Sequence, residues 1–168
     1  LERLVFEKEY ASSCPRPSDC LDYTPPPIIE VDDPCADLFV DHALNIMTWN
    51  IEWFPKDGQQ TIDYVQTIIK QTNVDILAVQ EVYERDMFDK MLESLPDYAG
   101  YHDSAWFAGL AYIYKKEVID VHDIFEIYTS SSYWNTFPRS PMVMDMTAYG
   151  ERYLLSLIHI SEPTRRPI

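Results

Sequence analysis

Two short apolar runs, Leu44-Asn45-Ile46-Met47-Thr48-Trp49 and Asp75-Ile76-Leu77-Ala78-Val79-Gln80, stand about thirty residues apart with an amphipathic stretch between them. The first alternates well enough for a strand, and the second is short and apolar, as a buried strand is. After Pro55, Asp57-Gly58 marks a turn, and Ile62, Val65, Ile68 and Ile69 then recur at three-to-four-residue spacing. That spacing predicts an amphipathic helix from about Gln60 to Thr72. Strand, helix and buried strand in this order form a parallel-type unit, because two parallel strands need a crossover between them.

A second helix is expected at about Glu84 to Leu95, where Met87, Phe88, Met91, Leu92 and Leu95 fall on one side. After Pro96 the stretches Leu110–Tyr114, Val118–Tyr128 and Met142–Ala148 are β-branched and aromatic, and they read as a run of strands. Alternating units followed by a meander indicate an α/β domain, a layered β-sandwich flanked by helices. With 168 residues, 46% hydrophobic and 14% aromatic, the chain suffices for one domain with a core and is not composed like a disordered one. No run of eighteen apolar residues occurs, so no membrane span is expected.

Residues 1–43 differ in character. They hold Pro15, Pro17, Pro25, Pro26, Pro27 and Pro34, and read as a leader, a linker or the end of an upstream module. Cys14, Cys20 and Cys35 are confined to this part, with spacings unlike a zinc ribbon. A Cys14–Cys20 disulfide and unpaired thiols both fit, and the odd number suggests a missing partner. Cysteines in a Pro-rich leader point to export, so a secreted or periplasmic protein is the expectation. The sequence starts at Leu1 without Met or a signal-type apolar stretch, so any targeting segment is expected to have been removed or to lie outside it.

Chemistry concentrates in Met47-Thr48-Trp49-Asn50-Ile51-Glu52 and in Asp75 through Val82. Each apolar run stops at a hard oxygen ligand, Asn50 in the first and Glu81 in the second. Neighbouring strands ending this way would set an amide oxygen beside a carboxylate at one sheet edge, which suits Mg²⁺, a cation that takes oxygen ligands and keeps several waters. A polar strand end is more often a solvated cap, so the pair carries the argument and neither residue does alone. The net charge of −15 has no basic segment to offset it and weighs against tight nucleic-acid binding. It leaves phosphodiester chemistry open, because a bound cation reverses the local sign.

A strand ending in Trp49-Asn50-Ile51, an amphipathic helix, and then Asp75-Ile76-Leu77-Ala78-Val79-Gln80-Glu81-Val82 resembles the opening of the endonuclease/exonuclease/phosphatase superfamily, with its deoxyribonuclease-I-like fold. That superfamily includes secreted deoxyribonucleases, abasic-site endonucleases, sphingomyelinases and inositol-phosphate phosphatases. The resemblance extends through Gly109–Lys115 and Phe137–Met142 and covers roughly residues 44–154. It implies a Mg²⁺- or Mn²⁺-dependent phosphodiesterase acting on nucleic acid, or alternatively on a lipid or sugar phosphate. Asn50 would help position metal and nucleophile, Glu81 would bind the metal, and Gln80 would stand behind them. Arg139 would contact substrate phosphate, and a turn-surface salt bridge is its competing reading. Trp106, just before Leu110, is the best candidate for a stacking contact with substrate. Glu52 and Asp103 are acids near the motifs without an assigned role, and His42, His102 and His122 lack ligand-like spacing. No protein partner is inferable.

The later residues the resemblance calls for, an Asp-x-Asn segment, a strand-borne His and a terminal Asp-His pair, have no counterpart here. Residues Leu155 to Arg165 look like the translation of a transposase sequencing adapter, so 155–168 are set aside as a non-native tail and His159 is not read as catalytic. The 168-residue chain is therefore expected to be an inactive, truncated part of a hydrolase. The competing reading is a secreted, non-catalytic binding or adhesion module on the same scaffold.

Overall fold

A computed structural model describes residues 43–103 and 108–159. The Pro-rich leader with its three cysteines, His42 and Trp106 lie outside the described residues. In chain order the elements are β1 (Ile46–Phe54), α1 (Gln59–Thr72), β2 (Ile76–Val82), α2 (Arg85–Glu93), β3 (Tyr98–Asp103), β4 (Gly109–Lys115), β5 (Ile119–Glu126), a 3-10 turn (Ser131–Tyr133), β6 (Met142–Ala148) and β7 (Glu151–Leu157).

The first sheet has the order β1-β2-β4-β3, and the second has the order β5-β6-β7. β1 and β2 run parallel across the α1 crossover, and every other pairing is antiparallel. On one face of the first sheet Leu77, Val79, Ala111 and Ile113 meet the buried side of the helices, including Ile62, Val65, Ile69, Phe88 and Met91. On its other face Ile76, Ala78, Leu110 and Tyr112 pack against Ile119, Met142, Met144, Met146, Ala148 and Leu157 of the second sheet. The strand period of two produces both faces at once, because successive side chains point opposite ways. Each such side chain contributes roughly 1.5–3 kcal/mol by leaving water. The result is a layered α/β fold with two packed sheets, and helices cover one sheet among the described residues.

Local chemistry fixes the ends. Asn73, in the left-handed conformation at φ 48°, closes α1 by donating its N–H to the Ile69 carbonyl. Tyr149 and Gly150, both at positive φ, make the two-residue turn between β6 and β7. Asp75 is buried at the foot of β2, where it takes Lys115 Nζ at 3.0 Å and the Asn45 backbone N–H at 2.9 Å. Tyr112 crosses from β4 to the second sheet, with its hydroxyl 2.9 Å from both the Met142 and the Leu155 carbonyl oxygens.

Three features differ from expectation. β3 was not anticipated, because Tyr98-Ala99-Gly100-Tyr101-His102-Asp103 lacks a β-branched residue. Gly100 is there for contact with α2, since a Cβ would come within 2.5 Å of Leu92 Cδ1. β1 and β2 do not stop at Asn50 and Glu81 but run on to Phe54 and Val82 through irregular backbone. Finally, β7 crosses the expected boundary at Leu154, for Leu155 and Leu157 keep the inward alternation and pair with Met144 and Met142.

Candidate functional site

The site begins as an interruption in two hydrogen-bond ladders. β1 and β2 are in register through Asn50 opposite Gln80, and register resumes only at Phe54 opposite Val82. On its other side β2 breaks register with β4 between the same two residues, Gln80 and Val82. Glu81 is therefore left out of both ladders, at φ 67°, while Glu52 and Trp53 take φ 42° and 55° in the matching part of β1. Left-handed backbone costs an L-residue on the order of 1–2 kcal/mol. A bulge re-aims the extruded side chain, and bulges of this kind gather beside functional sites.

Asn50 is locked by its oxygen, Oδ1 accepting the Glu52 backbone N–H at 2.9 Å. Its amide nitrogen is left for the side of Glu81, whose carboxyl the Asn50 side chain helps to hold down. Asn50 thus meets Glu81 as a donor that orients the carboxylate. His159 Nε2 lies 2.9 Å from Glu81 Oε1, and the Arg139 guanidinium meets His159 Nδ1. When Arg139 donates to Nδ1, a neutral imidazole carries its proton on Nε2 and gives it to Glu81. The chain of contacts runs Arg139, His159, Glu81, Asn50. Its middle is shielded, with side chains of His159 and Glu81 only 8% and 14% exposed, and Asn50 at its end is exposed.

Burial pushes the Glu81 carboxyl up, but the hydrogen bond from His159, the Asn50 side chain and the charge of Arg139 outweigh it and hold the group below the usual carboxylate range. Glu81 is accordingly ionised at neutral pH. Arg139 Nε, by contrast, is buried with no hydrogen-bond partner. A buried donor left this way costs roughly 1–3 kcal/mol, and an incoming acceptor would relieve it.

Of the residues singled out from sequence, Asn50, Glu81 and Arg139 converge here, and Trp106 lies outside the described residues. Gln80 turns instead to Thr48, donating to its hydroxyl at 2.8 Å. Glu52 pairs with Lys56 at 2.7 Å. Asp103 ends β3 opposite Leu110, and none of the hydrogen bonds of the group involves it; burial and then its charge push the Glu126 carboxyl up. His102 sits between Arg85 and Asp89, and His122 meets the Thr147 hydroxyl. His159 is the participant that sequence reasoning set aside. It follows the apolar run Tyr153–Ile158, inside the segment set aside as adapter-like.

No group of three or more His, Cys, Asp and Glu side chains is gathered for a metal among the described residues. Mg²⁺ needs no such cage, since it commonly binds through one or two carboxylates plus waters and substrate phosphate. An ionised, oriented Glu81 fits that pattern.

Residues 47–167 match the model of the Endonuclease/Exonuclease/phosphatase family. Among solved structures, that of D. rerio TDP2 complexed with a single-strand DNA product is similar at a TM-score of 0.61 and 13% identity, covering 73% of this chain and 48% of that one. Truncated Caenorhabditis elegans TDP2 gives a TM-score of 0.54 at 26% identity, covering 72% and 47%. ANGEL2, a 2',3'-cyclic phosphatase in complex with adenosine-2',3'-vanadate, gives 0.55 at 17% identity, covering 73% and 43%. The chain thus spans about half the length of these structures or less. No curated protein sequence matches it.

Proposed function

Since the chain belongs to the endonuclease/exonuclease/phosphatase family, we propose that it carries the opening half of a Mg²⁺- or Mn²⁺-dependent phosphodiester hydrolase. The observation that supports this most directly is the buried, unpartnered Arg139 Nε beside the ionised Glu81. A cationic donor without an acceptor and a hard carboxylate ligand are the two things a phosphate with its divalent cation requires. Glu81 would hold the cation, with Asn50 fixing the carboxylate's orientation, and the bound cation would supply Lewis-acid polarisation of a phosphoryl oxygen.

The chain's own residues divide the remaining work. Arg139 offers its planar fork to a phosphate oxygen, which satisfies Nε while the other arm keeps its contact with His159. His159 holds its proton at Nε2 against Glu81 and so keeps the two from drifting apart. Nucleic acid is the first substrate class to consider, because TDP2 was seen with a single-strand DNA product. Lipid and sugar phosphates remain the alternatives, favoured by the charge of −15. We assign turnover to a chain continued to the length of the structural relatives, and to the 168 residues by themselves no measurable hydrolysis.

The test is Mg²⁺-dependent cleavage of a generic phosphodiester by the 168-residue chain and by its continuation. Glu81→Gln in the longer chain should remove most turnover and leave its melting unchanged. Near-normal turnover at saturating Mg²⁺ would take Glu81 out of the metal site, and turnover by the 168 residues above a Glu81→Gln control would overturn the division.

A further inference from the structure

The loop between β5 and β6 presents an ordered patch of aromatic rings to solvent. Tyr128 lies between two others, its ring centroid 4.9 Å from that of Tyr133 and 5.2 Å from that of Phe137, the latter pair stacked at 14°. Trp134 adjoins them in sequence. Tyr128, Tyr133 and Trp134 remain 46%, 42% and 62% exposed, although rings of this size normally bury most of their area. Exposed apolar patches on a soluble domain mark binding surfaces.

The patch is built, not frayed. The Ile127 N–H donates to the Pro141 carbonyl and closes the loop at its base. Inside it, Tyr133 N–H donates to Ser130, Trp134 N–H to Ser131, and both Thr136 and Phe137 N–H to the Tyr133 carbonyl. Tyr128 is held at φ 58°, a conformation a bulky residue adopts only when its surroundings require it. Phe137 then precedes Arg139 by two residues, so their Cα atoms are at most about 7 Å apart.

We propose that Tyr128, Tyr133 and Phe137 form a stacking platform for a planar ring flanking the phosphate held by Arg139, so that the site prefers single-stranded nucleic acid to lipid or sugar phosphate. The inference rests on Arg139 and Glu81 being the phosphate site. Stacking suits this chain because it does not draw on charge. The net charge of −15 denies a polyanion the basic groove that usually supplies affinity, and base-on-aromatic contact is the sequence-tolerant term that remains. A phospholipid or a sugar phosphate offers no ring system of that kind next to its phosphate.

The experiment is equilibrium binding by the intact 168-residue chain in Mg²⁺, with four probes: a short single-stranded oligothymidylate, an abasic strand of equal length, inorganic phosphate, and sphingomyelin vesicles. The base-bearing strand should bind about tenfold more tightly than the abasic one for each stacked base. Tyr133→Leu should erase most of that difference and leave phosphate binding unchanged. Tyr133→Phe should keep it, and so should Tyr64→Leu, which removes an exposed ring on α1 instead. Equal affinity for the two strands overturns the platform, as does preference for vesicles over both. Loss of phosphate binding in Arg139→Ala with the base preference retained leaves the platform standing; phosphate binding that survives Arg139→Ala overturns the phosphate reading alone.

Discussion

Replacing Tyr112 by Phe removes one oxygen and tests how the two sheets are tied. The ring is fully buried, and its hydroxyl lies 2.9 Å from the carbonyl oxygens of Met142 on β6 and Leu155 on β7. A single hydroxyl proton serves one acceptor fully at a time, so the bond itself contributes about 1 kcal/mol. Leaving buried carbonyl oxygen short of a donor adds on the order of 1 kcal/mol more. The ring still fills its place, so no cavity term arises. The expected loss is about 2 kcal/mol, which in a chain of this length lowers the melting temperature by roughly 4–8 °C. Circular dichroism melts of both forms measure it, and native-state hydrogen exchange locates it: protection should fall along β7 and hold along β2. Tyr98→Phe is the comparison, since that hydroxyl donates to the Val74 carbonyl in the other core, and its effect should add to that of Tyr112→Phe. A shift below about 1 °C, or equal loss of protection in both sheets, would refute the reasoning.

Lys115→Met strands the Asp75 carboxylate, whose remaining partner is Asn45, and should cost about 3 kcal/mol in denaturant titrations; adding Asp75→Asn should recover part of it. Arg139→Ala in a turning-over form should raise KM with kcat little changed, and an unchanged KM would limit Arg139 to its contact with His159. In alkali, burial and then the charges of Asp75 and Asp97 push the Tyr98 phenol up to about 12. Its folded value exceeds the unfolded one near 10, so its contribution is complete below pH ~10 and is lost as pH rises towards 12. Chemical denaturation across that window should show falling stability whose slope Tyr98→Phe lessens, the buried phenol of Tyr112 keeping the rest; an unchanged slope in Tyr98→Phe would contradict it.

Much of the scaffold is legible in the residues. The α1 spacing, the two apolar strands of the parallel unit and the alternation from Met142 to Ala148 each satisfy one period over enough positions to be read alone. β3 is not legible, since Gly100 answers to Leu92 and Phe88 across the layer and not to any strand preference. Asn50 and Glu81 stand out by type and place, yet the extrusion of Glu81 is a register event between three strands and leaves no local mark. The donor role of the Asn50 nitrogen follows from the Glu52 N–H claiming its oxygen, a contact between residues two apart in an irregular turn. Arg139 and His159 come together only through the pairing of β6 with β7, which brings sequence positions twenty apart to one point.

The left-handed backbone at Glu52, Trp53 and Glu81 sets the chain's chemistry against its own ease of folding. Glycine or asparagine would occupy these three positions more comfortably than glutamate or tryptophan does. A library screened for soluble expression alone should therefore drift towards those residues and discard the Glu81 carboxylate, while one screened for cation or phosphate capture should hold Glu81 against that drift. Stabilisation chosen by backbone preference alone would erase the site first.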